Sequence, residues 1–336
     1  MIVVKTPHRV SFFGGGSDFQ NHINIDASES GVYGMSVNLY SYISATFPMV
    51  PVRDRFRISY SKTESAENLS ELNHELARET LRYFDFNDQI HISSMSDVPA
   101  STGLGTSSSF TVGLIKLLIT KLKINMSSKK IAETAVHIER NLVGHQGGIQ
   151  DQYWAALGGT GYFNFKDEIV NLKQAPSMLN HSLRSYSFLC YLGGARSSSA
   201  TLKNNLINSS DNQDQIKKSI TDNRNLLANQ AIDFDRNLSS KNKDQTNEYF
   251  EDMLIQSWRL KKASISVNNE IKKLLLELEK NKVPFKLCGA GGTGFLYFFI
   301  HNENINNIIQ ITLKKFNLSL IKVLPEDKGV EVIYSD

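Results

Sequence analysis

Short apolar runs separated by turn residues dominate the first hundred positions. Ile2–Val4, Val10–Phe13, Tyr40–Phe47, Phe56–Tyr60 and Gln89–Ser93 fit this description and predict strands. Leu72, Leu76 and Leu81 recur at helical spacing and predict a helix over Leu69–Phe84. A second helix is expected from about Ser107, with Phe110, Leu114, Leu117 and Leu118 on one stripe. A third begins after Ser127 or Ser128, either of which can cap it, carries Ile131, Ala135, Ile138 and Leu142, and ends at Gly144.

Beyond these, Tyr162–Phe165 and Tyr186–Leu192 read as strands. The stretch Lys203–Asn247 turns rich in Asn, Asp, Gln, Ser and Lys, yet Ile216, Ile220, Leu227 and Ala231 keep a helical spacing, so exposed helices are expected there. Ile271–Leu278 predicts an amphipathic helix, Phe295–Ile300 a strand, Ile305–Phe316 a helix and Gly329–Tyr334 a last strand. The order of elements is that of an α+β chain. A division into 1–175 and 176–336 is expected, with the boundary between Lys173 and Ser185.

Composition narrows the function classes. A chain of 336 residues can bury a generous core or form two domains. Its 37 basic and 34 acidic residues leave a net charge of +3, and the basic residues are scattered, so neither a nucleic acid nor a membrane surface is an expected partner. No apolar run of about 18 residues is present to span a bilayer. Met1–Val10 lacks the apolar core of a signal peptide, and a cytoplasmic location is expected. Cys190 and Cys288 stand far apart and read as small buried hydrophobes rather than a disulfide or a metal site.

Three glycine-rich segments carry the chemistry. The middle one, Pro99-Ala-Ser-Thr-Gly-Leu-Gly-Thr-Ser-Ser-Ser109, runs straight into a helix. Open amides and the positive end of the helix dipole there suit a phosphate, and the hydroxyls suit phosphate oxygens or Mg²⁺; a plain Ser/Thr-rich cap is the competing reading. No Lys follows the glycines, so it is not a P-loop. The first, Pro7-His-Arg-Val-Ser-Phe-Phe-Gly-Gly-Gly-Ser-Asp-Phe19, sets Arg9 inside an apolar strand, where it needs an anionic partner. Asp18 follows the glycines, either as an acceptor for ligand hydroxyls or as a turn residue. The third, Lys286-Leu-Cys-Gly-Ala-Gly-Gly-Thr-Gly-Phe295, holds more glycine than a tight turn needs and points to close packing on a ligand or another backbone. Between them lies Glu139-Arg-Asn-Leu-Val-Gly-His-Gln-Gly-Gly-Ile-Gln-Asp-Gln152, with an inward Glu139 that wants a cation and Asp151 after a Gly-Gly pair.

Taken together these segments resemble the three motifs of the GHMP kinases, in order and across most of the chain. The resemblance implies an N-terminal domain like ribosomal protein S5 domain 2, a ferredoxin-like C-terminal domain and an active site between them. It implies that Gly103, Leu104, Gly105, Thr106, Ser107, Ser108 and Ser109 wrap the ATP phosphates. Ser107 and Glu139 would hold Mg²⁺, Asp151 would take the acceptor's proton, and Arg9 would orient Asp151. Gly15, Gly16, Ser17, Asp18, Gly147, Gly148, Asp151, Gly291 and Gly292 would line the substrate.

Phe12-Phe-Gly-Gly-Gly-Ser-Asp18 departs from the first motif of galactokinases and looks like that of D-glycero-D-manno-heptose 7-phosphate kinases, as do Ser94–Pro99, Gly147–Tyr153 and Trp258–Lys262. This implies transfer to the anomeric O1 of a sugar phosphate, feeding nucleotide-activated heptose synthesis for a bacterial surface polysaccharide. Arg196, in Gly193-Gly-Ala-Arg-Ser-Ser-Ser199, is then the candidate for the distal phosphate, with a plain surface arginine as the alternative. Another sugar-1-kinase, for fucose or glucuronic acid, and a non-catalytic sugar sensor on the same scaffold stay open, as does a homodimer.

Overall fold

The computed structural model describes residues 1–19, 30–166, 170–193, 213–238, 240–262, 265, 267–289 and 294–336. Two sheets organise them. The first has the strand order β12-β1-β2-β5-β3-β4, with β6 and β7 extending from β2. Its strands are β1 (Ile2–Phe13), β2 (Gly31–Thr46), β3 (Phe56–Ser59), β4 (Thr63–Ala66), β5 (Ile90–Ser96), β6 (Thr160–Asn164), β7 (Leu172–Gln174) and, from the far end of the chain, β12 (Glu331–Ser335). The second sheet is antiparallel, in the order β11-β8-β10-β9, from β8 (Ser187–Tyr191), β9 (Phe285–Leu287), β10 (Phe295–Phe299) and β11 (Leu320–Lys322). Numbered within itself this sheet runs 4-1-3-2 with helices in both crossovers, the ferredoxin-like arrangement.

Nine α-helices complete the described residues: α1 (Glu75–Tyr83), α2 (Thr106–Lys121), α3 (Ser128–His137), α4 (Gln150–Leu157), α5 (Ser177–Tyr186), α6 (Gln213–Leu238), α7 (Lys243–Lys262), α8 (Asn269–Lys280) and α9 (Glu303–Lys315). Ser127 caps α3 as expected, its side chain accepting from the Lys130 amide at 3.2 Å. The expected helix over Leu69–Phe84 is shorter. A 3₁₀ turn covers Leu69–Glu71, and the α-helix starts only after His74.

The runs Ile2–Val4 and Val10–Phe13 turn out to be one strand. Its polar middle is buried, with Thr6, His8 and Arg9 all shielded from water and His8 and Arg9 paired with site residues, and the register shifts after Pro7, which has no amide to give. Helix α4 left no stripe in the sequence because Gln150, Gln152, Tyr153, Trp154, Ala155 and Ala156 are all buried, so apolar residues surround it on most sides.

Aromatic packing joins the two sheets. The Phe12 ring lies 5.0 Å from both Phe250 and Tyr297, Phe13 lies 4.7 Å from Phe234, and Phe250 lies 4.8 Å from Phe299. Each such ring contributes about 2–3 kcal/mol by burial. The inner end of β1 is therefore fixed against both halves of the chain. β12 also crosses the expected division at 175/176, pairing with Ile2–Lys5 in the first sheet.

Candidate active site

The loop after β5 enters α2 through Gly105, which takes a left-handed conformation (φ +79°) and offers no capping side chain. The first-turn amides of α2 are left open to an anion. The hydroxyls of this segment divide by helix phase. Ser107 is exposed, Thr106 is half-buried, and Ser108 and Ser109 point inward. Ser109 donates to the Pro7 carbonyl at 2.9 Å and lies 3.2 Å from His8 Nδ1, while His8 Nε2 reaches Ser96 Oγ at 3.0 Å. Burial, reinforced by the neighbouring Arg9 charge, lowers His8 to about 4, so it is neutral near pH 7 and serves as a strut under the helix start.

The expected partner of Arg9 is Asp151. Arg9 Nε donates to Asp151 Oδ1 at 2.8 Å, and Nη2 stands 2.7 Å from the same oxygen. The third nitrogen, Nη1, donates to the Gly103 carbonyl, and the Arg9 amide donates to the Leu104 carbonyl at 3.1 Å. One guanidinium thus ties the carboxylate to the glycine loop before α2. Asp151 Oδ2 makes no hydrogen bond among the described residues, and it lies 3.3 Å from where a Cβ on Gly105 would stand.

Glu139 sits in a π-helical turn (Ile138–Leu142) that follows α3, and it is 1% exposed. Ser108 donates to its Oε2 at 3.2 Å, while the helix phase turns Ser107 outward. Arg140 Nη1 stands 3.8 Å from the same oxygen. Oε1 is buried with no partner among the described residues, and burial raises the Glu139 carboxyl above its ordinary range. A lone inward carboxylate oxygen beside a hydroxyl suits a hard divalent cation that takes most of its ligands from phosphates and water. No cluster of three or more His, Cys, Asp or Glu side chains among the described residues could hold a metal without them.

Asp18 is 1% exposed and clasps two loops. Its Oδ1 accepts from the Gly16 amide and its Oδ2 from the Gln150 amide, both at 3.0 Å, while its carbonyl accepts from the Ile149 amide. A Cβ on Gly148 would fall 1.9 Å from Asp18 Oδ2, so only glycine fits there. Burial raises the Asp18 carboxyl, and the neighbouring charge of Asp151 adds to the effect. Gly15, Gly16, Gly147 and Gly148 gather around this clasp. Ser17 is buried in the loop. Its buried hydroxyl donates to the Gly14 and Gly31 carbonyls and holds the loop.

The described ends of the third glycine segment pack backbone to backbone on the Thr102–Gly103 loop, one of the two options its composition left. A Cβ on Gly289 would lie 2.4 Å from Gly103 Cα, and one on Gly294 would lie 2.2 Å from the Thr102 carbonyl oxygen. Gly291, Gly292 and Arg196 lie outside the described residues.

Five residues near the site were not assigned roles from sequence. His8 and Arg140 sit inside the quoted motifs, and Arg140 braces the loop through the His145 and Gly148 carbonyls. Lys261 donates to the Leu287 carbonyl at 2.9 Å and to that of Gly289, and burial lowers it to about 8. Lys286 reaches the Phe12 carbonyl, and burial and Lys261 together hold it well below the ordinary lysine range. Arg224, on α6, stands over the Phe19 ring.

Residues 71–159 match the family described as GHMP kinases N terminal domain. The chain is 28% identical over 353 residues to D-glycero-alpha-D-manno-heptose 7-phosphate kinase of Campylobacter jejuni, covering 98% of this chain and 94% of that one. Its fold is similar to a crystal structure named as a D-glycero-D-manno-heptose 1-phosphate kinase from Bacteroides thetaiotaomicron (TM-score 0.75, 22% identity, full coverage of both chains). It is also similar to Streptococcus pneumoniae phosphomevalonate kinase in complex with phosphomevalonate and AMPPNP (TM-score 0.69, 14% identity, 99% and 100% coverage).

Proposed function

We propose that this chain, whose residues 71–159 match the GHMP kinases N terminal domain and whose fold is similar throughout to the kinase structures above, is an ATP-dependent kinase for a heptose phosphate. It transfers the γ-phosphoryl group to the anomeric O1 of D-glycero-D-manno-heptose 7-phosphate, giving the 1,7-bisphosphate and ADP. The product would feed nucleotide-activated heptose synthesis for a bacterial surface polysaccharide.

One observation carries the reading. Arg9 occupies Asp151 Oδ1 and leaves Oδ2 unbonded beside Gly105 at the phosphate loop. A base is thus held next to the place where open amides receive the ATP phosphates. Asp151 Oδ2 takes the proton from the acceptor hydroxyl as its oxygen bonds to Pγ and the Pγ–Oβγ bond breaks. The anomeric hydroxyl is more acidic than an ordinary alcohol, so a carboxylate suffices as base. Arg9 holds Asp151 in position and offsets negative charge gathering on the transferring group. Gly103–Ser109 bind and align the phosphates through amides and the outward Thr106 and Ser107 hydroxyls. Glu139, with Ser107 and Ser108, would hold Mg²⁺, which when bound neutralises phosphate charge. Asp18 reads acceptor hydroxyls with the lone pairs its backbone bonds leave.

The test is ADP release by purified protein with Mg²⁺ across manno-heptose 7-phosphate, mannose 6-phosphate, fucose, galactose and mevalonate. Selective turnover of the heptose phosphate supports the proposal. Selective turnover of an unphosphorylated sugar keeps the kinase and discards the acceptor, and no turnover of any acceptor moves the reading to a sugar sensor.

A further inference from the structure

Helix α6 lies over the first glycine loop. Leu227 Cδ1 stands 4.0 Å from where a Gly16 Cβ would be, and Phe234 packs on Phe13 and Tyr33 at 4.7 and 4.8 Å. Arg224 precedes Leu227 by three residues and so shares its face. Its guanidinium carbon is 4.5 Å from the centroid of Phe19, the residue after Asp18. Phe19 is itself bridged to Gly148, which packs on Asp18. Arg224 is half-buried and makes no hydrogen bond or ion pair among the described residues. The Asp18 carboxylate lies near enough to act on it, but the backbone amides of Gly16 and Gln150 already bond that carboxylate.

We propose that Arg224 determines acceptor specificity by binding a phosphomonoester that the sugar already carries, at the end away from the hydroxyl being phosphorylated. This rests on the kinase reading above. A half-buried guanidinium with no hydrogen-bonded anion is costly, and its place over the Phe19 ring leaves the N–H donors for two phosphate oxygens. Position argues for the acceptor's phosphate rather than ATP's. Asp18 is within electrostatic reach of both Asp151 and Arg224, and Arg224 stands over Phe19, the residue that follows Asp18. The phosphate loop touches Asp151 through Gly105 instead. An acceptor with its reacting hydroxyl at Asp151 and its ring hydroxyls at Asp18 therefore presents its remote end to Arg224.

The test compares wild type, Arg224→Gln and Arg224→Lys on D-glycero-D-manno-heptose 7-phosphate and on the same heptose without phosphate, with the KM for ATP and the thermal midpoint as controls. In Arg224→Gln, kcat/KM for the phosphorylated sugar falls by roughly 10- to 100-fold, the loss of charge-assisted hydrogen bonds. The unphosphorylated heptose and the KM for ATP stay within about twofold, and Arg224→Lys retains part of the preference, as a point charge without the fork does. Equal losses on both acceptors would assign Arg224 a structural role and overturn the inference, as would an undiminished preference in Arg224→Gln. If wild type turns over neither heptose, the heptose-phosphate kinase reading fails and this inference with it. If wild type turns over the phosphate and Arg224→Gln matches it, the inference alone fails.

Discussion

Arg9 and Asp151 meet through two guanidinium nitrogens on one carboxylate oxygen, Nε at 2.8 Å and Nη2 at 2.7 Å, while the other oxygen faces the phosphate loop. The pair is separated by most of the N-terminal half of the chain, and the fold closes that distance by packing α2 and α4 on β1. The arginine's third nitrogen holds the Gly103 carbonyl, so base position and phosphate-loop position are coupled through one side chain.

That coupling predicts the behaviour of Arg9→Lys. A lysine presents one point charge and cannot hold Oδ1 and the Gly103 carbonyl together. Steady-state kinetics should record a kcat lowered about 10²- to 10³-fold, with the KM for ATP raised as well. A variant with near-native kcat would separate Arg9 from the chemistry.

Glu139 is held inward with one oxygen unpartnered, at a cost to the folded state. Because burial raises its carboxyl, the folded protein holds this proton to higher pH than the unfolded chain. Stability from this group is therefore present at low pH and lost as pH rises through the raised value. Glu139→Gln should melt higher than wild type at neutral pH without metal, the gap closing as pH falls. The same variant should need more Mg²⁺ for half-maximal activity. Equal melting and an unchanged Mg²⁺ requirement would remove Glu139 from the metal site.

His8 carries the opposite sign. Its folded value of about 4 lies below the ordinary 6.5, so between these the unfolded chain binds the proton and the folded one does not. Stability is lost as pH falls through that window, by up to about 3 kcal/mol from this group. His8→Asn should flatten the acid limb of the unfolding free energy between pH 6.5 and 4 relative to wild type. Parallel limbs would contradict the strut role.

Gly289 has no room for a methyl group. A Cβ there would lie 2.4 Å from Gly103 Cα, and its φ of +66° disfavours any other residue. Gly289→Ala should push the phosphate loop away and raise the KM for ATP by at least about tenfold, with the sugar KM less affected, since a displaced backbone loses its aligned amides. An unchanged ATP KM would mean the loop tolerates the shift.

Much of this was legible in the residues. An arginine inside an apolar strand required an anion, and Asp151 supplies it. Surplus glycine in the third motif predicted close packing, found at Gly103 and Gly289. The hydrogen bond from Ser108 to Glu139 was not legible, because it depends on the phase at which α2 starts, and one residue turns the side chain by about 100°. Helix α4 was hidden because burial on most sides erases periodicity. Lys261 and Lys286 stand inside quoted motifs, but neither has a role legible in the sequence. Only the tertiary fold brings the backbone carbonyls of Phe12, Leu287 and Gly289 to them.

The central claim is that Asp151 takes the acceptor's proton. Single-turnover ATP consumption with D-glycero-D-manno-heptose 7-phosphate, in wild type and Asp151→Asn, tests it most directly. The account predicts a rate about 10²- to 10⁴-fold lower in the variant with sugar and ATP binding retained. A variant that transfers phosphate at close to the wild-type rate would contradict it.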